Sequence, residues 1–263
     1  MKKIIALVIV LFLVTACSQK ASGSKDIRIA SHTEPMTDVI EIAKTLLEKD
    51  GYTVELVKVA DNTAGNIALN SKEIDANFFQ HVPYMEAFNK AHDANLVGIT
   101  PIYDAIVGYY SKDIASKEDI PVGASVGLPN DTDNQARALI ILEQAGLIKL
   151  KNPGSESSTI EDVVENKLEL KFVPVDLLTL THAYEDVDLL FNYPTYISSI
   201  GLTPLKDAII VEESTSYFAI SLVAREDNKD SDKIKALKKA MTSPEVKEFL
   251  ENEKNAATLV PSF

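Results

Sequence analysis

Cysteine is nearly absent from this 263-residue chain: Cys17 is the only one. No internal disulfide can close, and no spare thiol is left to misoxidise outside the cytoplasm. Long apolar runs are equally scarce. Ile4 to Val14 is an unbroken run of eleven residues, whereas a helix needs about 20 to cross a ~30 Å hydrocarbon core, and no later segment is long and apolar enough. Basic charge is in deficit, with 26 Lys and Arg against 39 Asp and Glu and a formal net charge of −13. That leaves no basic surface to replace phosphate counterions and argues against a nucleic-acid partner. The chain has no G-x-S-x-G, no H-E-x-x-H and no glycine-rich phosphate loop, hence no complete enzymatic motif and no cofactor fingerprint. The four histidines, His32, His81, His92 and His182, are scattered; with no close pair among them, no metal site is expected, and His92 and His182 read as helix-surface residues.

The short apolar run has a context. Lys2 and Lys3 precede it as a positive n-region, and Val14-Thr15-Ala16-Cys17 follows it. The length suits the h-region of a signal peptide, and a small residue before cysteine at its end resembles a bacterial lipobox. Residues 1–16 are then a signal peptide, Cys17 the lipidated mature N-terminus, and 17–25 a lipid-bearing Ser/Gln/Lys/Ala/Gly tether without apolar periodicity. The expected location is the extracytoplasmic face of a cell membrane, held by an N-terminal lipid; two acyl chains hold more firmly than one. Loss of Lys2 and Lys3 takes the net charge to −15.

From Asp26 onward, strand-like and helix-like segments alternate. The patterns predict strands over Ile27–Ser31, Thr53–Val59, Ile74–Phe79, Leu96–Thr100, Ile106–Tyr110, Ala124–Leu128, Leu168–Pro174, Val187–Phe191 and Phe218–Ala224. They predict helices over Pro35–Lys49, Asn66–Leu69, Pro83–His92, Asn134–Ala145, Thr159–Glu165, Leu177–Tyr184, Ser231–Met241 and Pro244–Glu253. Repeated β-α-β units imply mostly parallel sheets with helices on both faces, and two such sets imply two lobes with a cleft between them.

Two stretches concentrate polar and aromatic groups at strand ends. In Asp75-Ala76-Asn77-Phe78-Phe79-Gln80-His81-Val82-Pro83-Tyr84 the mixture suits a pocket for an apolar side chain with a polar head, or equally a core strand and a capped helix. In Pro129-Asn130-Asp131-Thr132-Asp133-Asn134-Gln135-Ala136-Arg137 a helix N-terminus favours anions, and Arg137, read as first-turn, could fork onto a carboxylate or pair with the neighbouring acids at the surface.

These stretches, together with Gly108-x-Tyr110-Ser111-Lys112, Ala145 to Leu150 and Leu222 to Asn228, resemble the NlpA family, the methionine-binding lipoproteins of ABC importers. The resemblance implies an α/β, two-lobe periplasmic-binding-protein-like (type II) fold with two crossovers between lobes. Residues 26–112 plus 206–263 would form lobe 1 and 113–205 lobe 2. It implies a small amino acid ligand, most simply methionine, with a permease and an ATPase as partners. Phe79, His81 and Tyr84 match side-chain pocket positions, Arg137 the ligand-carboxylate residue, and Asn134 a contact to the amino acid head. Three positions depart from the family's pattern. Asn62 stands where a pocket tyrosine is frequent, Tyr193 stands where the ligand-binding asparagine usually sits with Asn192 one residue off, and Ala105-Ile106-Val107 replaces a frequent E-P-M. The expectation is that Asn62 and Tyr193 face one cleft from opposite lobes. Another amino acid or a short peptide, or a surface protein without transport role, are the alternatives.

Overall fold

The computed structural model describes residues 24–212, 216–252 and 254–263; Cys17 and the tether up to residue 23 lie outside them. The chain first lays down β1 (Asp26–Ser31), α1 (Met36–Lys49), β2 (Thr53–Lys58), α2 (Asn62–Asn70), β3 (Ala76–His81), α3 (Val82–His92) and β4 (Leu96–Ala105). It continues through β5 (Gly108–Tyr110), β6 (Ser125–Pro129), α4 (Thr132–Gln144), β7 (Ile148–Leu150), β8 (Val163–Asn166), β9 (Lys171–Val175), β10 (Leu189–Asn192), α5 (Pro194–Ile197), α6 (Pro204–Asp207) and β11 (Ala208–Val211). It closes with β12 (Ile220–Arg225), α7 (Asp232–Met241), α8 (Pro244–Glu251) and β13 (Leu259–Pro261).

Local chemistry explains the helices nearest the cleft. Met36, Val39, Ile40, Ala43 and Leu47 of α1 recur at helical spacing and are buried, and Gly51 at φ +79° ends the run in the left-handed region. Asp61 accepts the Ala64 amide and starts α2; Asp131 does the same for Asn134 and α4. His81 caps α3 by accepting the Tyr84 amide on Nδ1, so one residue ends a strand, starts a helix and faces the cleft.

Two sheets result. The six-stranded one has the order β13-β4-β12-β3-β1-β2 and the five-stranded one β11-β5-β10-β6-β9, with β7 and β8 as a separate ribbon. β1, β2 and β3 run parallel, but β12 is antiparallel to both β3 and β4. The sheets are therefore more mixed than the β-α-β reading implied, because β12 re-enters the first sheet from the second. The chain passes between sheets twice, after β4 and again between β11 and β12, as a two-lobe periplasmic-binding fold requires. β5 pairs with both β10 and β11 in the second sheet, where β11 is the edge strand, although 108–110 and 208–211 were expected in lobe 1.

Several expectations need correction. Thr159–Glu165 is a single 3-10 turn, Ile160–Asp162, followed by β8: Thr159 and Asp162 form a reciprocal capping box around one turn, and the β-branched Val163 and Val164 then extend against β7. Leu177–Tyr184 is a 3-10 segment at Leu180–Glu185. The helix predicted over Asn66–Leu69 begins at Asn62 because its cap is Asp61. Phe218, expected to open the last strand, instead closes a 3-10 turn over Ser216–Phe218, and β12 starts at Ile220. With α4 capped at Asp131, Arg137 sits in the second turn, not the first.

Candidate functional site

The ends of β3 and β4 meet α4, β10 and α5 across the gap between the sheets. They enclose a narrow cavity, open on one side, with about 30 Å³ of free space between its walls, room for a water or two. Phe79, Gln80 and His81 line it from β3, Tyr84 from α3, Tyr103 and Ala105 from β4, Met36 and Asn62 from two helix starts, and Ile220 from β12. The facing side supplies Asn134, Leu177, Tyr193, Thr195 and Tyr196. The sequence had pointed to Asn62, Phe79, His81, Tyr84, Asn134 and Tyr193, and all six border this one cavity. Asn192 does not: it is fully buried, donates to the Thr181 hydroxyl at 2.8 Å and accepts the Tyr193 amide at 2.9 Å. Its role is to fix the backbone that carries Tyr193.

Asn134 is the hub. Its Nδ2 donates to Asp131 Oδ1 at 2.9 Å, and its Oδ1 accepts from His81 Nε2 at 3.2 Å and from the Tyr193 hydroxyl at 2.5 Å. Because Nδ1 of His81 already accepts the Tyr84 amide, the proton of the neutral ring belongs on Nε2, and the bond to Asn134 joins the two lobes. Burial, reinforced by nearby Arg137, pulls the His81 pKa down to about 3; the ring is neutral at pH 7. Asn62 Oδ1 meets His32 Nε2 at 2.8 Å, and the His32 ring lies 5.7 Å from Phe79. Phe79 is held against α2 by the absence of a side chain at Gly65, where an added Cβ would lie 2.5 Å from the ring.

Arg137 lies directly behind this wall. Its side chain is 1% exposed and does not itself line the cavity. Nε donates to Glu212 Oε1 at 2.8 Å, Nη2 donates to Glu212 Oε2 and to the Ala105 carbonyl at 3.2 Å, and Nη1 donates to the Tyr193 hydroxyl at 3.1 Å. The guanidinium also lies 5.1 Å from the Tyr193 ring centroid and 4.6 Å from that of Phe218. Burial opposes its charge, but Tyr193 and Glu212 more than offset this and its pKa is raised. The surface pairing with Asp131 and Asp133 that the sequence allowed is not formed; Glu212, 75 residues away, takes that place.

Sequence reasoning missed Glu212, Tyr103, Tyr196 and a buried amide cluster. Asn66 Nδ2 donates to Gln80 Oε1 at 2.8 Å, Asn77 Nδ2 to Asn66 Oδ1 at 2.8 Å, and Gln80 Nε2 to Asn77 Oδ1 at 2.9 Å. This cluster ties α2 to β3 below Phe79. Asn77 and Gln80 inside an apolar strand were the available signal, since buried amides demand partners. Glu212 had no local signal.

Comparison with known proteins identifies the family and the fold. The profile of the NlpA lipoprotein family matches residues 27–263. The D-methionine-binding lipoprotein MetQ of Escherichia coli (strain K12) is 37% identical over 235 residues, which are 88% of this chain and 87% of that protein. Among solved structures, a YaeC-family lipoprotein from Enterococcus faecalis V583 superimposes with a TM-score of 0.82 at 43% identity, covering 91% of this chain and 100% of that one. A nutrient-binding protein from Burkholderia cenocepacia bound to methionine superimposes with a TM-score of 0.83 at 34% identity, covering 90% and 99%. This chain belongs to the NlpA lipoprotein family.

Proposed function

We propose that the protein is the solute receptor of an ABC importer, anchored by acylated Cys17 to the extracytoplasmic face of the membrane, and that it takes methionine from outside and delivers it to a permease driven by an ATPase. The observation that carries this reading is the cavity between the sheets, lined by Phe79, Tyr84, Tyr103 and Tyr196 and crossed by the His81–Asn134 bond, in a chain akin to lipoproteins named for D-methionine and to one structure bound to methionine. Aromatic walls suit a thioether, each sulfur–aromatic contact contributing roughly 0.3–1.5 kcal/mol. In this reading Phe79 and Tyr84 hold the side chain and His81 and Asn134 meet the head, while Arg137, which does not line the cavity, holds Tyr193 in the wall in front of it. The lobes are the two sheets with their helices, and the chain crosses from one to the other after β4 and after β11.

The test is calorimetry of the mature protein, stripped of its co-purified solute, against L- and D-methionine, with that solute identified by mass spectrometry. Saturable methionine binding supports the reading. A different co-purified solute and no heat with either enantiomer would overturn it. Tyr193 and Asn62 in the wall keep one second reading open, a receptor of the same fold for another small amino acid or a short peptide.

A further inference from the structure

Charged and polar groups that could meet an amino acid head are already engaged by the chain's own side chains. Four of the five Arg137 N–H bonds go to Glu212, Ala105 and Tyr193. Both Oδ1 lone pairs of Asn134 are taken, one of them by the Tyr193 hydroxyl at 2.5 Å. Tyr193 is the group common to both residues, and it borders the cavity in front of Arg137. It is not free to swing away: its ring packs edge-on against Phe191 and Tyr196, with centroids 5.6 and 6.3 Å off, and its own backbone is pinned by Asn192. Burial pushes its pKa up to about 12, so at pH 7 it is a neutral phenol that donates to Asn134 and accepts from Arg137.

We infer that Tyr193 is a specificity-determining residue that stands in for a ligand's carboxylate, closing Arg137 to any solute that carries one. The inference rests on the amino acid reading of the cavity and deepens it. A free carboxylate entering this pocket meets Tyr193 before the guanidinium, because Arg137 does not line the cavity and the phenol takes one N–H of the nitrogen that Glu212 and Ala105 leave unclaimed. A solute of the same shape whose carboxyl is capped loses nothing by comparison, since it brings no charge that needs Arg137. Wild-type protein therefore selects its ligand by the apolar body and neutral hydrogen-bonding groups. Replacing the ring by a small side chain opens the charge-assisted contact, which is stronger than a neutral one.

The experiment titrates wild type, Tyr193→Asn and Tyr193→Phe with L-methionine and with L-methioninamide, its carboxyl-capped analogue, in a calorimeter. Circular dichroism and melting establish that each variant is folded, and Tyr193→Phe keeps the ring packing if Tyr193→Asn does not fold. The readout is the ratio of the two affinities, which a general loosening of the lobe would leave unchanged. The expected result is that wild type binds methionine no tighter than the amide, and that Tyr193→Asn improves the ratio in favour of methionine by about ten-fold or more, the scale of a hydrogen bond to a charged group; Tyr193→Phe shifts it in the same direction by less. If wild type prefers methionine by about ten-fold and the variants weaken that preference, Tyr193 is a ligand contact, and this inference fails while the methionine reading stands. If folded wild type and variants bind neither compound, the methionine reading fails and the inference with it.

Discussion

Lowering the pH from 7 to 4.5 is expected to destabilise this protein through His81. The ring is buried, and its folded pKa is about 3 against about 6.5 for the unfolded chain. A histidine with a depressed folded pKa contributes stability that is complete above the unfolded value and is lost as pH falls from about 6.5 toward 3, because only the unfolded chain takes up the proton. Within that window each pH unit costs about 1.4 kcal/mol, so the interval from pH 7 to 4.5 costs about 2.5 kcal/mol. Asp133 works in the opposite sense: burial and the neighbouring Asp131 push its pKa up to about 6, so it takes its proton in the folded state first. A single variant separates the two. His81→Gln cannot titrate and leaves Asp133 in place, so the difference between the pH dependences of wild type and variant isolates the histidine. Urea unfolding at pH 7 and 4.5 should show wild type losing about 2.5 kcal/mol more than His81→Gln. Losses equal to within about 0.5 kcal/mol would refute the reasoning, since a neutral buried imidazole cannot give them.

The Arg137–Glu212 pair gives a second test: Arg137→Met alone strands a carboxylate whose side chain is 7% exposed and should cost about 3–5 kcal/mol in urea unfolding, while adding Glu212→Leu should restore most of it. Gly65→Ala puts a methyl 2.5 Å from the Phe79 ring; it should lower stability by about 1–3 kcal/mol and weaken methionine binding by calorimetry, because the ring can yield only at the expense of the wall it forms. Cys17→Ala should leave the protein unprocessed or release it from the membrane fraction, and a variant that is cleaved at the same bond and remains anchored would end the lipid-anchor reading.

The parts of the fold legible in the sequence are those written in local chemistry. β1, α1 and β2 follow from period and from Gly51, and α7 and α8 follow from Ser231 and from Ser243 with Pro244. The β3–α3 junction was legible for the same reason, with Pro83 in the first turn and aromatics on both sides. The second lobe was harder because its elements are short. β7, β8 and the 3-10 turns each carry too few residues to show a period, and tertiary pairing decides their state. Arg137 illustrates the limit within the site. Its nearest acids in sequence are Asp131 and Asp133, yet its partner arrives from the end of β11, where the chain is about to return to the first sheet. A helix-by-helix reading has no means of counting that approach.

The same placement bears on how the two lobes hold together. Asn134 and Arg137 are one turn apart on α4 and both face the first sheet, one toward His81 at the end of β3 and the other toward the Ala105 carbonyl at the end of β4. These two hydrogen bonds cross the cleft directly, and Glu212, at the second passage between sheets, fixes the angle of the guanidinium that makes one of them. Bonds of this kind contribute about 1 kcal/mol when neutral and somewhat more from a charged donor. These bonds by themselves support closure by only a few kcal/mol, within reach of what a small solute supplies by touching both walls. A ligand can bias opening and closing only by binding the closed form better than the open one. Under the receptor reading proposed above, the difference would come from contacts to Phe79, His81 and Tyr84 on one side made together with contacts to Asn134, Tyr193 and Tyr196 on the other, all six of which border the cavity. A solute that satisfies one wall alone gains affinity without driving closure, so the residues at the tip of β3 and the start of α4 have to be read as one site although 53 residues separate His81 from Asn134.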